Sequence, residues 1–183
     1  MTTAILGGVF DPPHLGHVAL AEGALRELGV DRLLVLVAAR PGHKGVVADP
    51  QTRLELAELA LGHLGEVRLD DHAHTIDLLR DEPFEDGVFL LGADEWAAFD
   101  TWKESDEVRR RVRIAVAARP GAPEPHGGDV AVFEIEQRPI ASREIRARAA
   151  AGASIDELVP PAVAAAIERR GLYRPGSPST RRG

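Results

Sequence analysis

The chain has 183 residues, of which 44% are apolar and 28% charged, a size and composition typical of one globular domain. It contains no cysteine, so disulfides and thiolate metal sites are excluded. Its net charge of −7 argues against general nucleic-acid binding. No apolar run reaches the roughly 18 residues that span a bilayer, and we expect no signal sequence. These features predict a cytoplasmic protein with small-molecule partners, no nucleic acid and no membrane, and leave a homo-oligomer open.

Short apolar runs alternate with segments of helical periodicity along the chain. The runs have the length and continuity of strands that are buried on both faces, as in a parallel sheet. Strand and helix in alternation predict an α/β fold with a doubly wound parallel sheet and a single domain over residues 1–174. Residues 175–183 are expected to be a disordered tail. The predicted strands cover residues 4–9, 32–38, 67–69 (a short edge strand), 88–91, 113–117 and 130–135.

The segment GGVFDPPHLGH, residues 7–17, joins the first predicted strand to a helix that starts near Leu15. Gly7 and Gly8 are expected to let the backbone turn tightly and a ligand approach it. Helix amides without intrahelical partners, including those of Gly16 and His17, then favour a phosphate at this helix start. Ligands of such sheets bind outside the carboxyl ends of the strands, near the point where the strand order reverses.

His14 and His17 are three residues apart and therefore lie on nearly the same helix face. Two imidazoles beside bound phosphates suit phosphoryl transfer, which depends on positioning and electrostatics rather than on a covalent nucleophile. One alternative is a turn with two exposed histidines. A metal site is weakly supported, because no third ligand lies nearby in the sequence, and we predict no protein-held metal.

The segment 7–17 resembles the motif of the HxGH nucleotidyltransferase superfamily, and later motifs resemble its bacterial nicotinate mononucleotide adenylyltransferases. The resemblance runs from Thr3 to Tyr173. It implies a Rossmann-like fold, transfer of the adenylyl group of ATP to nicotinate mononucleotide, and Mg²⁺ held mainly by the ATP phosphates. It also implies ATP contacts in the first motif at Gly7, Gly8, Val9, Phe10 and Gly16, with His14 and His17 as catalytic residues.

Later motifs extend the resemblance on the ATP side. Lys44 follows the second strand in a loop similar to the family's P-x-x-P-H-K and implies a phosphate contact, with a solvated loop lysine as the alternative. Arg53, on the next helix, matches a family arginine and is interpreted as a helix-surface charge. Gly92 and Asp94 stand in an L-G-x-D motif, which implies a ribose contact for Asp94, or a helix N-cap.

The late segment 140–146 resembles the family's I-S-S-T-x-I-R and implies ATP contacts for Ile140 and Ser142. Ser142 is a candidate N-cap for a helix over residues 143–150. Arg146 lies one turn into that helix, and its guanidinium suits a bidentate phosphate clamp. A basic helix surface is the alternative interpretation.

The acceptor side is less well matched. Arg119, in an R-P-G turn, and Trp102 are similar to family residues that line the acceptor pocket, although a plain turn and a core position are the alternatives. His74 and Thr75 stand where the family has Y-T-x-x-T-L, and the aromatic residue and second threonine are absent. Val9 also replaces a family Thr or Ser. Rival interpretations are therefore another phosphorylated acceptor, such as nicotinamide mononucleotide or phosphopantetheine, or a silent nucleotide-binding paralogue.

Overall fold

A computed structural model describes residues 1–42, 46–118, 130–136 and 139–176 of the chain. Six parallel strands form one sheet in the order β3-β2-β1-β4-β5-β6. The predicted doubly wound α/β fold is confirmed, and each predicted strand is present, with the short segment 67–69 inside the edge strand β3. The strands are β1 (Thr3–Gly8), β2 (Arg32–Ala38), β3 (Glu66–Asp70), β4 (Gly87–Leu91), β5 (Arg113–Ala118) and β6 (Ala131–Glu134).

Helices connect the strands and cover both faces of the sheet. A 3₁₀ turn over Phe99–Thr101 supplements them. The helices are α1 (Leu15–Glu27), α2 (Pro50–Leu61), α3 (Thr75–Asp81), α4 (Ala93–Ala97), α5 (Ser105–Arg111), α6 (Ser142–Ala150) and α7 (Pro161–Arg170). Among the described residues, no helix is long and apolar enough to cross a membrane.

Alternate residues of the central strands enter two separate apolar cores. In β1, Ala4 and Leu6 pack into one core while Ile5 packs into the other, because successive side chains of a strand point to opposite faces. The first core lies under α1, α2, α6 and α7, and the second lies under α3, α5 and the 3₁₀ turn. Burial on both faces explains the continuous apolar runs of the sequence.

The local sequence determines where helix α2, which carries Arg53, begins. Its N-cap residue Asp49 accepts a hydrogen bond from the Thr52 N–H at 3.0 Å, and Pro50 occupies the first helical position, where it loses no hydrogen bond. Leu56, Ala57, Ala60 and Leu61 form its buried face.

The order of the strands places a crevice at the middle of the sheet. The chain winds outward from β1 through β2 to β3, then returns to place β4 on the other side of β1. Connections leave the carboxyl ends of β1 and β4 in opposite directions, so a crevice remains between them. The loop at residues 121–129 and residues 177–183 of the predicted tail lie outside the described residues.

Candidate active site

A cleft of about 1610 Å³ opens at the carboxyl ends of β1 and β4, the position predicted for a ligand. Every predicted site residue within the described ranges lines this one cleft; Lys44 and Arg119 fall outside those ranges. The lining residues are His14, His17 and Arg146 of the predicted catalytic set, Gly7, Gly8, Val9, Phe10, Gly16, Gly92, Asp94, Ile140 and Ser142 of the ATP set, and His74, Thr75 and Trp102 of the acceptor set.

The glycines of the first motif allow close packing rather than a turn. Gly7 and Gly8 are the last residues of β1, so the expectation that they form the turn was wrong. A Cβ on Gly8 would lie 2.8 Å from the Phe10 ring, and one on Gly7 would lie 3.2 Å from the Phe89 ring. The left-handed residue of the turn is Phe10, at φ 51°, and its side chain is buried in the core.

The two histidines lie together at the start of α1, as their spacing predicted. Their ring centroids are 3.8 Å apart, and the backbone N–H of His14 donates to Nδ1 of His17 at 3.1 Å. Because Nδ1 accepts this bond, neutral His17 carries its proton on Nε2. The local backbone therefore selects one tautomer of the second histidine.

His14 is an uncharged imidazole in the free protein at neutral pH. Burial lowers its pKa from 6.5 to about 4, since a desolvated site disfavours the charged form. Its Nδ1 is buried and has no hydrogen-bond partner in the described part of the chain. A buried polar atom of this kind at a cleft wall is well suited to a partner that arrives with a ligand.

The amides of the first helical turn are less open than expected. The N–H of His17 donates to the His14 carbonyl at 2.9 Å, and the N–H of Leu15 donates to the Leu158 carbonyl at 2.9 Å. The expectation that the His17 amide lacks an intrahelical partner was therefore wrong, because the helix begins with a tighter bond from residue 17 to the N-cap carbonyl of residue 14.

Helix α6 docks its first turn onto the end of the β1–α1 turn. The Ser142 hydroxyl donates to the Pro12 carbonyl at 2.9 Å, and Ala141 is the N-cap residue, so the N-cap role predicted for Ser142 was wrong. Arg146 donates from Nη1 to the Asp11 carbonyl at 2.6 Å. This bond holds the guanidinium at the cleft wall, on the same side as the histidines.

The carboxyl end of β4 supplies the opposite wall. Gly92 is the N-cap residue of α4, and a Cβ there would lie 2.8 Å from the Glu95 carboxylate. Asp94 is the second residue of α4, so its alternative role as the N-cap was wrong. Asp94 lines the cleft, and the ribose contact stays a prediction.

The end of the cleft that carries the residues predicted for the acceptor combines aromatic rings with paired charges. The Trp102 ring packs 5.2 Å from Phe99 and 6.0 Å from Phe89 between ring centroids while it also lines the cleft, so its core and pocket positions coincide. Lys103, which the sequence analysis did not single out, lines the cleft and donates to Asp77 at 2.9 Å. His74 lies 3.1 Å from the same carboxylate.

A further histidine, His72, lines the same end of the cleft and contacts two carboxylates. His72 lies between Asp70, at 2.6 Å from Nδ1, and Asp81, at 3.1 Å from Nε2. The bond to Asp70 raises the pKa of His72, with a smaller contribution from Asp81. Its ring thus ties the end of β3 to α3 beside His74 and Thr75.

Asp11 is a buried residue of the site whose role sequence reasoning missed. Its side chain is 2% exposed and accepts hydrogen bonds from the Val47 and Ala48 amides at 2.7 and 3.2 Å. It also accepts one from the Tyr173 hydroxyl at 2.8 Å, and burial raises the pKa of that tyrosine. The position of Asp11 within the motif of residues 7–17 is the sequence feature that could have indicated this role.

Arg53 corrects the sequence interpretation most strongly. It was expected on the helix surface, but its side chain is 0% exposed and bonds to backbone carbonyls behind the cleft. The local sequence does not distinguish this buried arginine from one on the surface, because segments that bury it lie elsewhere in the chain.

Several His, Asp and Glu side chains line the cleft, among them Asp11, His14, His17 and Asp94. Within residues 1–42, 46–118, 130–136 and 139–176, no group of three His, Asp or Glu side chains is placed to hold an ion. Asp11, the buried carboxylate, already accepts three hydrogen bonds. This donor set fits a divalent ion that enters bound to phosphates rather than one held in a protein cage.

The fold and the cleft at the reversal of strand order are those of a nucleotide-binding α/β enzyme, a nucleotidyltransferase. A family model described as cytidylyltransferase-like matches residues 5–148, including the histidine pair, Gly92, Asp94 and Arg146. The chain belongs to this family, and within it to the nicotinate-nucleotide adenylyltransferases, because it matches curated members of that group over nearly its whole length.

Two relatives illustrate the match. The probable nicotinate-nucleotide adenylyltransferase of a Thermus thermophilus strain is 37% identical over 95% of this chain and 100% of its own length. That of Bordetella petrii is 38% identical over 93% and 97%.

Solved structures agree in fold. The Plasmodium falciparum nicotinic acid mononucleotide adenylyltransferase complexed with NaAD superposes with a TM-score of 0.76 at 17% identity, covering 94% of this chain and 97% of that one. A putative nicotinate-nucleotide adenylyltransferase from Vibrio parahaemolyticus gives 0.69 at 21% identity, with 97% and 98% covered.

The depressed pKa of His14 predicts a loss of stability in acid. The unfolded chain protonates this residue near pH 6.5 but the folded chain only near pH 4, so stability falls as the pH drops through that window. The contribution is about 3 kcal/mol. Urea unfolding between pH 7 and pH 4 should show a steeper loss for the wild type than for His14→Asn.

The exposed His63 provides the control, since His63→Asn removes a histidine away from the cleft. That variant should follow the wild type. An equally steep loss in His14→Asn would show that His14 is not the group responsible.

Proposed function

We propose that this protein, with residues 1–174 as its catalytic domain, transfers the adenylyl group of ATP to nicotinate mononucleotide. The products are nicotinate adenine dinucleotide and pyrophosphate. A phosphate oxygen of the acceptor forms a bond to the α-phosphorus of ATP, and the bond from that phosphorus to the bridging oxygen of the β-phosphate breaks. The observation that carries the proposal is the close pair of histidine rings, 3.8 Å apart between centroids, in one cleft with Arg146 in a chain of this family.

The wall at the end of β1 suits the triphosphate. His14, His17 and Arg146 approach one region of the cleft from α1 and α6, and the β1–α1 turn brings main-chain groups to the same place. Charge grows on the bridging oxygen and the pyrophosphate as the bond breaks, so donors fixed in advance stabilise the transition state more than the ground state. Lys44 is proposed as a further phosphate contact.

His14 is able to change its charge during this reaction. It is neutral in the free protein because burial lowers its pKa to about 4, and the anionic phosphates of ATP favour its protonated form. Binding of nucleotide then draws a proton onto the imidazole beside the group that leaves. His17, fixed in one tautomer by the His14 amide, supplies a donor without such a change.

Mg²⁺ is proposed to enter with ATP as part of the substrate complex. Bound to the phosphate oxygens it supplies neutralising charge, and the cleft residues supply the directional contacts. Asp94 is proposed to accept from ribose hydroxyls on the opposite wall.

The acceptor is proposed to lie between Trp102 and the start of α3. The exposed face of the indole offers a surface for a pyridine ring. The ammonium group of Lys103 has three N–H donors. Its Nζ lies 2.9 and 3.1 Å from the two carboxylate oxygens of Asp77. The carboxylate of nicotinate is proposed to take the place of Asp77 on this ammonium group.

The reaction predicts pyrophosphate release from ATP that depends on the acceptor. Pyrophosphate should form rapidly with nicotinate mononucleotide, at least about tenfold more slowly in kcat/KM with nicotinamide mononucleotide, and hardly at all with phosphopantetheine. A coupled pyrophosphate assay across the three acceptors measures this directly. The proposal would be contradicted if phosphopantetheine were the only acceptor of the three to give pyrophosphate release, or if release occurred without an acceptor.

His17→Ala should lower kcat by about 10² to 10³, because one fixed donor to the transition state is lost. The exposed His63, which does not line the cleft, gives the matched control, and His63→Ala should retain wild-type turnover. Circular dichroism confirms that both variants are folded. Turnover of His17→Ala within threefold of the wild type would remove this residue from the catalytic set.

Lys103→Met should lower the preference for nicotinate over nicotinamide mononucleotide by about tenfold, since a charge-assisted hydrogen bond contributes roughly 1.5–3 kcal/mol. The ratio of kcat/KM for the two acceptors is the measurement. Arg80→Met is the control: Arg80 joins α3 to Glu104 at 3.2 Å, next to the Lys103–Asp77 pair.

The control loses a comparable salt bridge between the same two elements but leaves the cleft unchanged, so its acceptor ratio should equal that of the wild type. An unchanged ratio in Lys103→Met would mean that other groups distinguish the acid from the amide.

A further inference from the structure

The guanidinium of Arg53 binds four backbone carbonyls behind the cleft. Its Nε donates to the Ala48 carbonyl at 3.1 Å, and its Nη1 donates to those of Val9 at 2.9 Å and Ala38 at 2.6 Å. Its Nη2 donates to the Ala39 carbonyl at 3.2 Å. One side chain thus joins the turn after β1, the exit of β2 and the segment before α2.

Burial of this charge is costly, so the contacts that retain it must offset a large penalty. Desolvation lowers the pKa of Arg53, and the nearby Asp11 acts in the opposite direction as the largest counter-charge. Each of the four bonds ends on a neutral carbonyl, so the guanidinium stabilises the orientation of these peptides.

The orientation of a carbonyl fixes the amide of the same peptide, because the C=O and N–H of a trans peptide point in opposite directions. The peptide that follows Ala38 shows the effect: its carbonyl accepts from Arg53, and its N–H, on Ala39, donates to the Asp70 carbonyl at 2.8 Å on the other side. By the same rule, the bond from Arg53 to the Val9 carbonyl directs the Phe10 N–H away from the buried guanidinium. Val9 and Phe10 both line the cleft.

We propose that Arg53 is a positioning residue for adenylyl transfer. It turns the Val9 carbonyl away from the cleft and presents the Phe10 amide to the phosphates of the nucleotide. This inference rests on the proposed function. It adds a main-chain amide, held in place by Arg53, to the proposed phosphate site. Without Arg53 the Val9 peptide is free to rotate, and a carbonyl oxygen facing the cleft would repel a phosphate.

Steady-state kinetics of Arg53→Lys test the proposal. Lysine keeps the charge but lacks the planar fork that reaches four carbonyls. The KM for ATP should rise about tenfold or more, as expected for a charge-assisted hydrogen bond, while the KM for nicotinate mononucleotide changes less than twofold. A merely structural role would lower the active fraction and leave both KM values unchanged.

Arg170→Met is the matched control. Arg170 contacts α2 from its outer side, through Glu55 and through Thr52 at 3.2 Å, so its removal weakens the packing of the same helix without touching the four carbonyls. Both KM values should stay at the wild-type level. An equal rise in the KM for ATP in both variants, or no rise in Arg53→Lys, would overturn the proposal.

A measurement on the wild-type protein decides the question if Arg53→Lys does not fold. With ¹⁵N-labelled phenylalanine, the amide resonance of Phe10 should shift on addition of tripolyphosphate. That of Phe84, which precedes the amino end of β4 and does not line the cleft, should not. An unmoved Phe10 resonance with bound tripolyphosphate, or no binding of tripolyphosphate, would overturn the inference. A wild type that binds ATP but releases no pyrophosphate with any acceptor would instead defeat the proposed function.

Discussion

The buried guanidinium of Arg53 and the buried carboxylate of Asp11 hold together the segments on which the cleft depends. Arg53 binds carbonyls after β1, after β2 and before α2. Asp11 binds the amides of Val47 and Ala48 and the hydroxyl of Tyr173. One group satisfies backbone acceptors and the other satisfies backbone donors, so two opposite charges, costly when buried singly, fix the segments that join these elements.

This scaffold explains how an acidic chain is able to recruit a highly anionic substrate. The chain as a whole has a net charge of −7, whereas the wall proposed for the phosphates consists of histidines, Arg146 and oriented main chain. Such donors act at short range inside a cleft, where screening by solvent is weak. A neutral His14 also reduces the charge that must be desolvated before the nucleotide arrives.

The two halves of the cleft are built differently. The half at the end of β1 relies on a rigid turn and buried anchors, which suits chemistry that demands fixed geometry. The half proposed for the acceptor contains partly exposed pairs such as Lys103 with Asp77, which exchange partners at low cost. The sequence departs from the family pattern in this second half, at His74 and at the position of the second threonine.

The sequence by itself determined the strands, the helices α1, α2 and α6, and the crevice, because apolar periodicity and the β1–α1 motif are local properties. It also identified His14, His17, Asp94 and Arg146 as residues of one cleft, through motifs that each follow a strand end. Only the tertiary structure placed Arg53 in the interior, moved the N-cap of α6 to Ala141 and revealed Lys103 beside Asp77. These facts depend on which distant segments cover a side chain. Burial and long-range hydrogen bonds arise from the packing of the whole chain, whereas helix and strand patterns arise from a few neighbouring residues.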